Sequence, residues 1–288
     1  MEERCDRTDI QKNMSSTLEQ FSLQDRVCVI TGGAGFLGRK HAEAILDAGG
    51  IPILLDINEP LLKDAKTELA TKYNQEIAGF IVDIADLDAM ARVRKEIIEQ
   101  HQKVDVLINN AANNPKVEGS TQSWTHLEHF PGAVWEADLR VGLRGSFIAS
   151  QIFGTFMAEQ GKGVILNISS DLGIIAPDQR IYRKEGIAEE EQMVKPVTYS
   201  VVKHGLIGLT RYCATYWADQ GVRVNAICPG GVFNGQDDAF IKKLSALIPL
   251  GRMAFPDEYK ATILFLISEA SSYMTGSVVI IDGGRTCW

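Results

Sequence analysis

No apolar run in this chain approaches the ~20 residues needed to span a bilayer. Its start, "MEERCDRTDIQKNMSSTLEQ", lacks the apolar stretch of a secretory signal. Neither a membrane partner nor export is therefore expected. Metal-binding patterns are missing too. The five cysteines, Cys5, Cys28, Cys213, Cys228 and Cys287, are odd in number and widely spaced, with no C-x-x-C and no Cys/His cluster, so no metal site is expected. Cys28 and Cys228 lie in apolar runs and read as small buried hydrophobes, which suits a reducing, cytoplasmic compartment. Positive charge is in deficit: 29 Lys and Arg face 37 Asp and Glu, a formal net charge of -8. That argues against nucleic acid as the main partner, because a phosphate backbone requires a basic face.

What is present suffices for a large core. Of 288 residues, 45% are apolar, enough for one α/β unit. Short β-branched runs such as "RVCVIT", "IPILLDI", "VDVLINNAA", "GVILNISS" and "VRVNAICPG" alternate with helix-length amphipathic stretches. This alternation predicts parallel strands with helices on both faces. The expected fold class is α/β, a Rossmann-type doubly wound sheet of seven strands in the order 3-2-1-4-5-6-7. Residues 1–22 read as a flexible tail, and residues 23–288 as a single domain.

The first strand runs into "VITGGAGFLGRKHA", where Gly33, Gly35 and Gly38 form G-x-G-x-x-G at the opening of a helix. Such glycines let the backbone turn tightly and approach a pyrophosphate at the helix N-terminus. Asp56 ends the second strand at about the distance expected of a ribose-binding acid. It should accept from the ribose hydroxyls and repel a 2′-phosphate, favouring NAD over NADP. A plain glycine turn with a capping aspartate would explain each part alone, but not strand, loop, helix and acid in register.

Tyr199 and Lys203 are four residues apart, so they share a helix face. A cation beside a phenol is expected to lower its pKa, and such a tyrosine can exchange a proton with an alcohol or a carbonyl oxygen. Ser170, just past the fifth strand, can bond the same oxygen. An exposed polar pair and a strand-end serine would give the same letters; the dinucleotide loop tips the balance.

With these motifs in view, the chain resembles the short-chain dehydrogenases/reductases, from about Leu23 to Gly284. The resemblance rests on "TGGAGFLG", "NNAA", "NISS", Tyr199-x-x-x-Lys203, "NAICPGGV" and "YMTGSVVIIDGG". It implies Tyr199 as acid/base, Lys203 lowering its pKa and holding the ribose, and Ser170 orienting the substrate. It implies cofactor contacts from Gly32, Gly35, Phe36, Leu37, Gly38, Asp56, Ile57, Asp83, Ile84, Asn109, Asn110, Ala111, Tyr199, Lys203, Pro229, Gly230 and Val232. It also implies a homodimer or homotetramer, formed through the helices after strands four and five.

Three features depart from that pattern. The loop from Thr31 to Gly38 reads T-G-x-x-G-x-x-G, the spacing of the family's extended branch, while the rest resembles the shorter branch. Gly142 occupies the position where many members carry an asparagine. And 28 residues separate Ser170 from Tyr199, implying an insertion at about 176–197 on the substrate side. Long connections are usually functional or disordered. Arg180 and Arg183 within it are candidates to face a phosphate or carboxylate.

The words around the insertion also resemble the flagellin modification protein A subgroup, which implies a sugar or sugar-phosphate substrate in surface-glycan biosynthesis. The expected function is thus an NAD-dependent alcohol/ketone oxidoreductase acting on a small polar substrate. A 3-oxoacyl or other ketone reductase is the alternative among enzymes, and a non-catalytic NAD-binding sensor the alternative of another class.

Overall fold

The computed structural model describes residues 16–113 and 123–288. Seven parallel strands form one sheet: β1 (Val27–Thr31), β2 (Ile51–Asp56), β3 (Ala78–Ile81), β4 (Val106–Asn109), β5 (Gly163–Ile168), β6 (Val222–Pro229) and β7 (Val278–Ile281). Their order is β3-β2-β1-β4-β5-β6-β7, as expected from the alternation. The helices are α1 (Phe36–Asp47), α2 (Glu59–Tyr73), α3 (Leu87–His101), a long composite helix, α7 (Val197–Tyr216), α8 (Asp238–Ser245) and α9 (Lys260–Ile267). The composite helix runs through α4 (Gly132–Leu139), α5 (Ser146–Ala149) and α6 (Thr155–Glu159), joined by π-helical turns at Arg140–Gly145 and Ser150–Gly154. It starts at Gly132, after Pro131; the preceding Trp124 and Leu127 lie in 3-10 turns.

Successive strand side chains face opposite sides, so the sheet carries two cores. Cys28, Ile30, Leu54, Ile108, Leu166 and Ile227 pack under α1, α2 and α9. Val27, Val29, Leu55, Leu107, Ile165 and Val224 pack under α3, α7 and the composite helix. A polar bolt crosses the centre: Asn109 Nδ2 donates to Asn167 Oδ1 at 2.8 Å and to Ser150 Oγ at 3.0 Å, and Asn167 Nδ2 donates to Thr210 Oγ1 at 2.8 Å. Buried amides must be partnered, and here the partners fix the composite helix and α7 to adjacent strands.

On the outer face of α1, Glu43 is buried and gathers Lys40, Lys72 and Lys260 at 3.0–3.2 Å. Burial would raise its carboxyl, but the three ammonium groups hold it below the usual range. Of the expected tail 1–22, residues 1–15 lie outside the described residues. Glu19–Phe21 forms a 3-10 turn whose Phe21 ring lies 6.4 Å from Phe265.

Candidate active site

The sheet order reverses between β1 and β4, and in such folds ligands bind at the strands' carboxyl ends there. A cleft of about 360 Å³ opens at that edge. Phe36, Leu37, Asn110, Ser170, Tyr199, Lys203, Pro229, Gly230 and Val232 line it.

The glycine loop is shaped by contact. Gly32 adopts φ +61°, and a Cβ there would lie 2.8 Å from Ala111 Cα. A Cβ on Gly38 would lie 2.3 Å from Gly32 O, so only glycine allows the loop to fold onto the first turn of α1. Gly35 is the N-cap of that helix. Asn110 Nδ2 holds the loop from the far side, donating to Thr31 O at 3.1 Å and to Gly32 O at 3.0 Å, and Ala111 N donates to Thr31 Oγ1 at 3.2 Å. A backbone kept bare at a helix N-terminus fits a pyrophosphate.

Asp56 stands at the end of β2, accepting from Ala34 N at 3.1 Å and Asn58 N at 3.0 Å, with Ile57 exposed beside it. Asp83 accepts from Ala85 N at 2.9 Å and Arg140 Nη2 at 2.7 Å. Burial opposes its charge, but these donors hold its carboxyl below the usual range. Ile84 is buried in the core, and Asn109 belongs to the central bolt.

α7 brings the remaining groups together. Tyr199 sits in its first turn and Lys203 one turn on. Lys203 is buried, and its Nζ donates to Ile168 O at 2.8 Å. Ser170, at the end of β5, is hydrogen-bonded to Tyr199. The expectation of a depressed tyrosine pKa is corrected here. Burial raises the Tyr199 phenol above its ordinary value, and Asp171 adds to the rise, while the Ser170 bond only partly offsets them. The Lys203 ammonium lies 5.7 Å from the Tyr199 ring centroid and is itself pushed down to about 8 by burial and by the nearby Lys195 charge.

Sequence reasoning put the insertion that carries Tyr182 and Lys195 on the substrate side without giving either a role, and it did not place Asp171 or Arg285 in the site. Lys195 Nζ lies 3.8 Å from the Tyr199 ring centroid, and all four side chains line the cleft. The insertion that carries Lys195 and Tyr182 is tied to itself. Gln192 Nε2 donates to Lys184 O and Ile187 O at 2.9 and 2.8 Å, and Lys195 N donates to Gln179 Oε1 at 2.8 Å. It is also braced on α8: Tyr182 and Phe240 rings lie 5.6 Å apart, and Lys243 Nζ donates to Arg183 O at 2.5 Å. Arg180 and Arg183 do not line the cleft. Arg180 makes two bonds to Asp178, at 2.8 and 2.6 Å, and Arg183 pairs with Glu189 at 2.6 Å. Each found a local acid.

Gly142 lies in the π-helical turn after α4, and its carbonyl accepts from Ser146 Oγ at 2.9 Å. A cavity of about 10 Å³ beside it is lined by Asp138, Thr198, Tyr199 and Lys203, room for about one water. A Cβ at Gly142 would lie 2.5 Å from Val202 Cγ1. Gly142→Asn is therefore expected to destabilise the fold by about 1–3 kcal/mol through overpacking, and Val202→Ala in the same chain to recover most of it. Denaturant midpoints of the single and double variants check this; equal stability of wild type and Gly142→Asn would contradict it.

Comparison with known proteins agrees with this geometry. A family model described as enoyl-(acyl carrier protein) reductase matches residues 33–286. An NAD-dependent glycerol dehydrogenase of Listeria innocua is 32% identical over 276 residues, covering 93% of this chain and 96% of its own. The post-translational flagellin modification protein A of Campylobacter coli is 28% identical over 264 residues, covering 91% and 98%. A gluconate 5-dehydrogenase of Burkholderia cenocepacia, solved with NADP and tartrate, superposes with a TM-score of 0.81 at 25% identity, covering 95% and 100%.

Proposed function

This chain is a member of the short-chain dehydrogenase/reductase family and an NAD(P)-dependent oxidoreductase acting on CH–OH groups, and from that premise we propose that its substrate is a small, polar, sugar-like secondary alcohol or the matching ketone. The observation that carries the reading is the cleft wall supplied by the insertion. Lys195 and Tyr182 set a charged and a hydrogen-bonding side chain beside Tyr199 and Ser170, where an acyl chain would need an apolar lid. A dehydrogenase of glycerol and one of gluconate among the relatives support it, as does the resemblance to flagellin modification protein A for a role in surface-glycan synthesis.

In this reading the bare glycine loop, Asp56 and the segment Pro229–Val232 hold the nicotinamide dinucleotide, which supplies hydride acceptance or donation. The protein's own groups handle the proton. Ser170 and Tyr199 hydrogen-bond the substrate oxygen. Tyr199 takes the hydroxyl proton as the carbonyl forms, or returns it in reduction. Lys203, held on Ile168 O, presents a cation to the ribose and to the phenolate formed in the step. Exposed Phe147 and Tyr212 border one groove between the composite helix and α7, supporting a homodimer or homotetramer built on these helices.

Asp56 makes NAD the proposed cofactor. Arg39, which follows the loop, is already engaged by Ala34 O at 2.9 Å and by Glu68. The expected result is NADH binding at least ~tenfold tighter than NADPH, ~1.4 kcal/mol, narrowing in Asp56→Asn; fluorescence titration measures both. Turnover is then followed by the near-ultraviolet absorbance of the reduced cofactor. Polyols, sugar acids and sugar phosphates are offered with the oxidised form, and 3-oxoacyl analogues with the reduced form. Turnover confined to the acyl ketones would overturn the substrate reading, and tight binding with no turnover of any compound would favour a sensor.

A further inference from the structure

Beneath the cleft lies an ion pair that the proton chemistry above does not use. Arg285 Nη1 donates to Asp171 Oδ2 at 2.6 Å, with both side chains almost wholly buried. The turn after β7 aims the arginine there. Gly283 and Gly284 adopt φ +67° and +91°. Asp282 ties the turn by accepting from Gly284 N at 2.9 Å and from Thr286 N at 2.7 Å.

The other oxygen of Asp171 serves the neighbouring serine. Ser170 Oγ donates to Asp171 Oδ1 at 2.8 Å, and the same oxygen accepts from Leu172 N at 2.8 Å. A serine hydroxyl has one proton and two lone pairs. Without substrate that proton faces Asp171, and the oxygen accepts from Leu172 N at 3.2 Å.

We propose that Arg285 is a positioning residue of this active site: by pairing with Asp171 it holds in place the carboxylate that anchors Ser170 and shields Tyr199 from that charge. The inference rests on the roles given to Ser170 and Tyr199 above. An unshielded carboxylate in a poorly solvated site disfavours a second negative charge nearby, so without the guanidinium Tyr199 would give up its proton less readily. Asp171 already acts in this direction on Tyr199, Cys228 and Tyr259. Lys203 acts with Asp171 on Cys228, Glu258 and Asp282 act with it on Tyr259, Lys195 acts on Lys203, and Arg285 acts on Asp178. Arg285 is in direct contact with the Asp171 carboxylate.

The test needs no substrate, so it stands apart from the search for turnover. Fluorotyrosine is incorporated throughout the chain, which brings phenol ionisation down into a range where the fold holds. The Tyr199 resonance is identified by its loss in Tyr199→Phe and followed by fluorine NMR against pH, with thermal melts to confirm folding at each point. Arg285→Met is expected to raise the Tyr199 midpoint by about one pH unit or more. Asp171→Asn, which keeps the shape and removes the charge, is expected to lower it by a similar amount, and the double variant to follow Asp171→Asn. A role confined to stability would move melting temperatures without opposite midpoint shifts. Unchanged midpoints, or shifts of the same sign in both single variants, would overturn the proposal. If Arg285→Met does not fold, Arg285→Gln takes its place: a raised midpoint supports the shielding and an unmoved one ends it.

Discussion

Tyr199→Phe is expected to lower kcat by about 10²–10⁴ while NADH binds within about threefold of wild type, less than 1 kcal/mol. The substitution removes one oxygen from a ring whose place is fixed independently. The ring sits in the first turn of α7, with the Lys195 ammonium 3.8 Å from its centroid. The glycine loop and Asp56 lie on other elements and lose no contact. Binding without turnover would assign the proton to Tyr199 directly. Turnover near the wild-type rate would remove it from the chemistry, and Ser170 would be the next group to test.

Between pH 6.5 and pH 4 the protein should lose about 3 kcal/mol of stability through His41 alone. His41 lies on α1, 2% exposed, with no hydrogen-bond partner for Nε2. Burial pushes its pKa down from 6.5 to about 4, with the Asn110 side chain partly opposing the fall. The sign follows from proton counting. Below pH 6.5 the unfolded histidine binds a proton that the folded one refuses, so unfolding gains ground as pH falls. The loss levels off near pH 4, where the folded ring also titrates. Carboxyls held low in the folded state, such as Glu43 and Asp47, add their own losses only at and below the carboxylate range. Urea midpoints across this window measure the slope, and His41→Gln should flatten it. An equal slope in the variant would place the acid sensitivity elsewhere.

The parts of the site legible in the sequence were those set by local geometry. A strand, a glycine turn and a helix fix the dinucleotide loop within a dozen residues, and helical periodicity puts Tyr199 and Lys203 on one face. The seven-strand order followed from the alternation of elements. What stayed hidden depends on tertiary path. Asp171 and Arg285 meet across most of the C-terminal half of the chain, and no spacing rule links them. Lys195 precedes α7, so helical periodicity could not place it. Arg180 and Arg183 show the opposite case: an exposed guanidinium pairs with a nearby acid, and Asp178 and Glu189 are close enough in the chain to reach them. The pKa of Tyr199 was misjudged because spacing reveals a neighbouring charge but not the burial that opposes it.

The bracing of the insertion has a consequence for chain entropy. Closing a flexible loop costs only about 0.6 kcal/mol more for each doubling of its length, so a long connection between Ser170 and Tyr199 is thermodynamically inexpensive. Its anchors, the Gln192 bonds, the Val194–Thr125 bond and the Tyr182–Phe240 contact, lie within the insertion, the turns before α4 and α8, while Ser170, Tyr199 and Lys203 are held by β5 and α7. The wall that meets the substrate and the groups that move the proton are therefore separately supported. Apart from Lys195, which packs on the Tyr199 ring, this part of the chain can be rewritten for another polar molecule while β5 and α7 keep the proton-handling groups in place.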